Sequence, residues 1–184
     1  EIHERLVGSE MCIRDRPFTP EQIAALWEIQ DEPWVDTVLV FLYTGFRLME
    51  LLNMQTEQVD LQQKTFQGGI KTAAGKGRIV PIHPKILPFV QAWAQHGHKY
   101  LITADGKKLS KQKYYECWAE VMDRIGADKT PHEARHTFET SLDNAKANRK
   151  CIDLLMGHKS KDVGNRVYNH KTLEQLRATI LLLE

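Results

Sequence analysis

Apolar residues recur along this chain at more than one period, and the changes of period divide it into elements. Val35, Val38, Leu39, Leu42 and Tyr43 return at three- and four-residue intervals, the spacing of one buried helical face. Pro33 precedes that run and Gly45 follows it, so a core helix is expected between them. Upstream, Phe18-Thr19-Pro20-Glu21-Gln22 carries a helix start: a threonine N-cap, proline at the first helical position and glutamine three residues after the cap. That helix should run to about Gln30. After Gly45 a short helix is expected over RLMELLNM, with Leu48, Leu51 and Leu52 on one side and Arg47 and Glu50 on another.

Between Lys64 and His83 the helical period lapses. Gly68, Gly69, Gly75 and Gly77 punctuate two β-prone runs, Thr65 to Ile70 and Arg78 to Ile82, which predicts a small antiparallel hairpin or ribbon. Helical spacing then resumes, with helices expected over residues 85–95, 110–126, 131–145, 149–156, 160–167 and 172–183. The expected fold class is α+β, mainly α: one helical domain with a small sheet.

The length of 184 residues and an apolar fraction of 42% suffice for one domain with its own core. The longest apolar stretches, Val38 to Tyr43 and Ile180 to Leu183, are too short to span a bilayer, and no secretory leader opens the chain, so a cytoplasmic location is expected. Cys12, Cys117 and Cys151 are odd in number and lack CxxC spacing, which argues against a disulfide framework. The first sixteen residues differ in pattern from the rest, and VGSEMCIRDR within them resembles translated adaptor read-through. Residues 1–16 are therefore set aside as non-native or linker sequence, leaving 17–184 as the expected domain.

A net charge of +1 is uninformative, but its distribution is not. From Leu61 to Tyr115 there is one acid, Asp105, against ten bases, among them Lys71, Lys76, Arg78 and Lys85. Such a block suits either a phosphate backbone or a solvated lysine-rich face.

His132-Glu133-Ala134-Arg135-His136 matches H-E-x-x-H, a zinc-hydrolase string. On a helix Arg135 would lie about 60° from His132 and His136 about 40° to the other side, which brings a guanidinium beside any metal. Pro131 also puts His132 in the first turn, where free N–H groups and the helix dipole favour anions. A metal is not expected. Read as H-x-x-R, the same residues supply two phosphate-facing groups one turn apart.

Four separated pieces share that bias. TGFRLMELL (Thr44 to Leu52), IKTAAGKGRIVPI (Ile70 to Ile82), HEARHTF (His132 to Phe138) and LMGHKSKDVGNRVYNH (Leu155 to His170) resemble, in order, the boxes of the tyrosine recombinase or phage integrase family. The resemblance covers Phe18 to Glu184. It implies a catalytic domain of the DNA breaking-rejoining type, with Tyr168 as nucleophile, Arg47 and Arg135 on the non-bridging phosphate oxygens, and His132 and His158 as hydrogen-bonding or proton-exchanging partners. It makes Lys71 the general acid for the leaving 5′-oxygen, though Lys76 stands close by. Glu50 is expected behind Arg47, and His136 as a structural residue behind the site. Planar guanidinium forks suit a pentavalent phosphate's charge, and histidine titrates near neutrality. No cofactor or metal is implied.

Lys76, Arg78 and Lys85 are expected on DNA phosphates, which position without reading sequence. The implied partner is double-stranded DNA at a recombination or attachment site. The family further implies a homotetramer coupled through the C-terminal helix, whose Leu173, Leu176, Ile180 and Leu183 form an apolar stripe, and an accessory directionality factor. Packing of that stripe on its own domain is the alternative. Relatives carry an N-terminal helical domain that has no room before Phe18, so reduced DNA affinity is expected. The implied function is integration or excision of a bacterial prophage or mobile element, with a resolvase or type IB topoisomerase-like role in the same class. An inactive DNA-binding protein of this fold, and more distantly a zinc hydrolase, are the alternatives from other classes.

Overall fold

The structure, a computed structural model, describes residues 16–68, 78–158 and 169–184, apart from the side chains of 169–172. Helix α1 (Pro20–Glu28) opens on a capping box: the Thr19 hydroxyl accepts from the Gln22 amide at 3.2 Å, and the Gln22 side chain accepts from the Thr19 amide at 3.0 Å. Helix α2 (Val35–Thr44) is buried on nearly all sides, because α1 flanks it and α6 (Pro131–Asn144) runs along it. Its two threonines satisfy their hydroxyls on their own helix end, Thr37 on the Trp34 carbonyl and Thr44 on the Val40 carbonyl. Phe41 packs against Tyr114 and Trp118 of α5 (Lys111–Arg124), which closes the core on that flank.

Gly45 ends α2 with φ of 60°, a left-handed turn that sends the chain into α3 (Leu48–Leu52). Phe138 of α6 sits so close that a Cβ at position 45 would lie 2.5 Å from its ring. Gly45→Ala should therefore cost roughly 2–4 kcal/mol, combining the left-handed penalty with overpacking. A lower urea midpoint at unchanged slope would register it; an unchanged midpoint would refute this packing.

The expected ribbon is part of a three-stranded antiparallel sheet. Strands β1 (Val59–Asp60), β2 (Thr65–Gly68) and β3 (Arg78–Pro81) lie in the order β1-β2-β3, with Phe66 opposite Val80 and Gly68 opposite Arg78. Alternation puts Phe66 and Val80 inward and Gln67 and Ile79 outward, so Arg78, two residues before Val80, also points inward. Thr103–Ala104 and Lys107–Lys108 form a second hairpin, β4 and β5, that the periodicity did not predict. Its signal was the Asp105-Gly106 pair, both at positive φ (50° and 72°), as a two-residue hairpin turn requires.

Helices α4 (Leu87–Gln95), α5, α6 and α7 (Arg149–Met156) fall where periodicity predicts them. The expected helix over 160–167 lies outside the described residues. The last helix, α8 (Asn169–Ile180), begins earlier than expected and packs on α7 and β3. Leu176, Ile180 and Leu183 are buried there, and Tyr43 donates to the Glu184 carbonyl at 2.5 Å. Three of the stripe's four residues thus pack within the domain, the alternative weighed beside a protomer contact, and Leu173 is half-buried. Among the described residues no helix is long and apolar enough to cross a membrane.

Candidate active site

The start of α3, the start of α5 and the start of α6 line one groove, and the end of α7 reaches Arg135 beside it. Arg47 is the N-cap of α3, and Glu50 at its third position turns back to accept from the Arg47 amide at 2.8 Å. That carboxylate is buried, and it also faces the Arg47 guanidinium at 3.5 Å. The Arg47 side chain itself remains 49% exposed, free to meet a ligand.

Arg135 is placed by α6 and pinned by carbonyls that helix ends leave without partners. One terminal nitrogen donates to the Gly45 carbonyl, and the other donates to the Met156 carbonyl at 2.7 Å. The second nitrogen also lies 3.3 Å from His158 Nε2. His158 reaches this point because α7 stops at Gly157, left-handed at φ of 64°, after which its amide donates to the Asp153 carbonyl. Its other ring nitrogen is 3.5 Å from the Asp153 carboxylate.

His132 is exposed in the first turn of α6, and its Nε2 is 3.0 Å from Nε2 of His136. His136 is half-buried beside it, not packed out of reach of the site. Glu133, the residue a zinc hydrolase would use as base, is buried as the partner in a capping box with Thr130 and is 3.8 Å from Lys129. No group of three or more metal-ligating side chains capable of holding an ion occurs among the described residues. Arg135 is largely buried and donates to the Gly45 and Met156 carbonyls, yet it still lines the groove that His132 shares.

The groove, about 320 Å³, is lined by Arg47, Leu48, Met49, His132 and Arg135, with Lys111 and Tyr115 of α5 on the far wall. No local pattern marks those last two residues, since only the packing of α5 brings them here. Electrostatically the site is short of negative charge. Burial first, and then the nearby cations Arg47 and Arg78, lower Arg135 from the usual guanidinium range to about 10. Arg135 stays charged at neutral pH, and an incoming anion would relieve both its desolvation and the repulsion.

Arg78 corrects an expectation. Its side chain is 3% exposed, paired with Glu50 at 3.2 Å and stacked over Phe46 at 4.7 Å, so it is no surface contact for a DNA phosphate. The inward face of β3 decides this. Lys85 is exposed, 5.9 Å above the Trp27 ring. Lys71, Lys76 and Tyr168 lie outside the described residues.

Comparison with known proteins gives the same assignment. The model of the Phage integrase family matches residues 17–175. Tyrosine recombinase XerC of Proteus mirabilis is 30% identical over 155 residues, 76% of this chain and 48% of that protein. Tyrosine recombinase XerA of Thermococcus kodakarensis is 29% identical over 150 residues, 76% of this chain and 51% of that protein. The chain spans about half the length of these curated relatives. Among solved structures, that of XerA recombinase superposes with a TM-score of 0.71 at 23% identity, over 80% of this chain and 57% of that one. The Tn1549 transposon integrase in complex with circular intermediate DNA gives 0.67 at 21% identity, over 92% and 61%. With Arg47, His132 and Arg135 on one groove, His158 beside Arg135, and the family match running through nearly the whole domain, the chain belongs to the phage integrase family, among the tyrosine recombinases.

Proposed function

We propose that this chain is the catalytic domain of a site-specific recombinase that cuts and rejoins double-stranded DNA for integration or excision of a prophage or mobile element. The observation that carries the reading is the pinned, partly desolvated Arg135, with His158 at 3.3 Å and Arg47 and His132 lining the same groove. Such a site favours a phosphodiester whose charge grows during reaction.

In the proposed reaction the Tyr168 phenolic oxygen attacks phosphorus and the bond to the 5′-oxygen breaks. A 3′-phosphotyrosyl ester and a free 5′-hydroxyl result. The tyrosine proton passes to His132 or His158, and Lys71 protonates the leaving 5′-oxygen. Because one ester replaces another, the reverse attack rejoins the strand without ATP. Arg47 and Arg135 hold the non-bridging oxygens. Lys76 and Lys85 act on flanking phosphates, together with the exposed Lys107 and Lys108 of the second hairpin. Joining two duplexes requires several copies on DNA, and the exposed Leu181 and Leu182 offer apolar surface for such assembly.

The test is incubation of the chain with a nicked duplex carrying a candidate recombination site, in EDTA, followed by denaturing electrophoresis. A covalent protein–DNA band is expected, with the nucleotide mapping to the tryptic peptide Val167–Lys171. Duplex binding without any adduct would instead leave a DNA-binding protein that does not cleave.

A further inference from the structure

Arg78 is an expensive residue for its position. It donates through one nitrogen to both Glu50 carboxylate oxygens, at 3.2 and 3.3 Å, and to the Met156 carbonyl at 3.1 Å. Its Nε and second terminal nitrogen are buried without a hydrogen-bond partner among the described residues. A buried guanidinium with two unmet donors costs stability, and apolar side chains of similar volume often serve a core better than a buried ion pair. Its partners suggest what offsets that cost.

Each acceptor that Arg78 holds is shared with a residue of the groove. Glu50 also accepts from the Arg47 amide and faces the Arg47 guanidinium. The Met156 carbonyl also accepts from Arg135, whose nitrogen lies beside His158. Gly157, the turn that delivers His158, rests on Arg78 so closely that a Cβ there would lie 2.7 Å from its guanidinium. Arg78 therefore touches α3 and the turn after α7 at once, and meets α6 through the carbonyl it shares with Arg135.

We propose that Arg78 is a positioning residue for DNA cleavage: by holding Glu50 and the Met156 carbonyl together, it fixes Arg47, Arg135 and His158 around one phosphate. This rests on the recombinase reading above. A lysine could keep the charge near Glu50, but its ammonium has no planar face to lie over Phe46, the contact that seats the one nitrogen meeting both Glu50 and the Met156 carbonyl.

The test is single-turnover adduct formation on the nicked duplex at saturating DNA, with DNA affinity and thermal stability measured alongside. Arg78→Lys should fold and bind duplex as the wild type does, yet cleave about 10²-fold more slowly, the effect of a small misplacement of reacting groups. Cleavage at the wild-type rate would overturn the proposal. So would a loss of affinity with an unchanged saturated rate and a salt dependence shallower by about one charge, since that marks a phosphate contact. Should Arg78→Lys not fold, the double variant Arg78→Met with Glu50→Gln removes both buried charges. Slow cleavage by that folded protein supports positioning, and wild-type cleavage by it overturns positioning. If the wild-type chain forms no adduct, the recombinase reading fails and this role falls with it; if it does and Arg78→Lys is unaffected, only this role fails.

Discussion

Tyr168→Phe should abolish the covalent protein–DNA band while leaving duplex binding unchanged. The substitution removes one oxygen and keeps the ring, so whatever packing the side chain makes is largely preserved. If Tyr168 is the nucleophile, nothing else in the proposed reaction can form the ester, and the loss should be about 10⁴-fold or more. Loss of a proton-transfer group such as His132 would be smaller, about 10²–10⁴-fold. A band that persists at an appreciable rate in the phenylalanine variant would place the nucleophile elsewhere. Measuring binding on the same duplex separates lost chemistry from lost affinity.

The second large effect belongs to Arg135, and it is double. Arg135→Lys removes a planar fork from the developing phosphate charge, which should slow single-turnover cleavage by about 10²–10³-fold, the range for losing one preorganised donor. It also leaves the Gly45 and Met156 carbonyls competing for one ammonium, so stability should fall by about 1–3 kcal/mol. For a domain of this size that corresponds to roughly 2–4 °C in Tm per kcal/mol. Arg47→Lys offers the contrast. Its side chain is half exposed and the Glu50 carboxylate stands 3.5 Å away, so cleavage should suffer with little change in Tm. If both variants melted like the wild type, the carbonyl anchoring of Arg135 would be wrong. If both destabilised equally, Arg47 would be anchored as firmly as Arg135, against its exposure here.

Much of this was legible in the sequence because it rested on local signals. The Thr19 and Thr130 starts are caps, set by a side chain and an amide three residues apart. Gly45 and Gly157 stop helices at left-handed turns, and Arg47 and His158 are reachable from those stops by counting two residues and one. The Asp105-Gly106 hairpin turn is equally local, but its two-residue strands carry no apolar alternation to mark them. Arg78 was misplaced for a different reason. Its charge suggested solvent, whereas the strand's two-residue alternation, anchored by Val80, turned it inward.

The helical α+β class, the element order and the residue types of the candidate groove follow from local sequence, because caps, glycine stops and apolar periods act over a few residues. Which charges are buried, and which partners they share, depends on long-range packing. Glu50 meets Arg78 across 28 positions and Arg135 meets Gly45 across 90, contacts made by helices and strands packing together. The same packing spends most of the C-terminal apolar stripe on the domain's own core and brings Lys111 and Tyr115 to the groove. Residue spacing specifies a face, but the element that covers that face is chosen by the global packing of apolar surface.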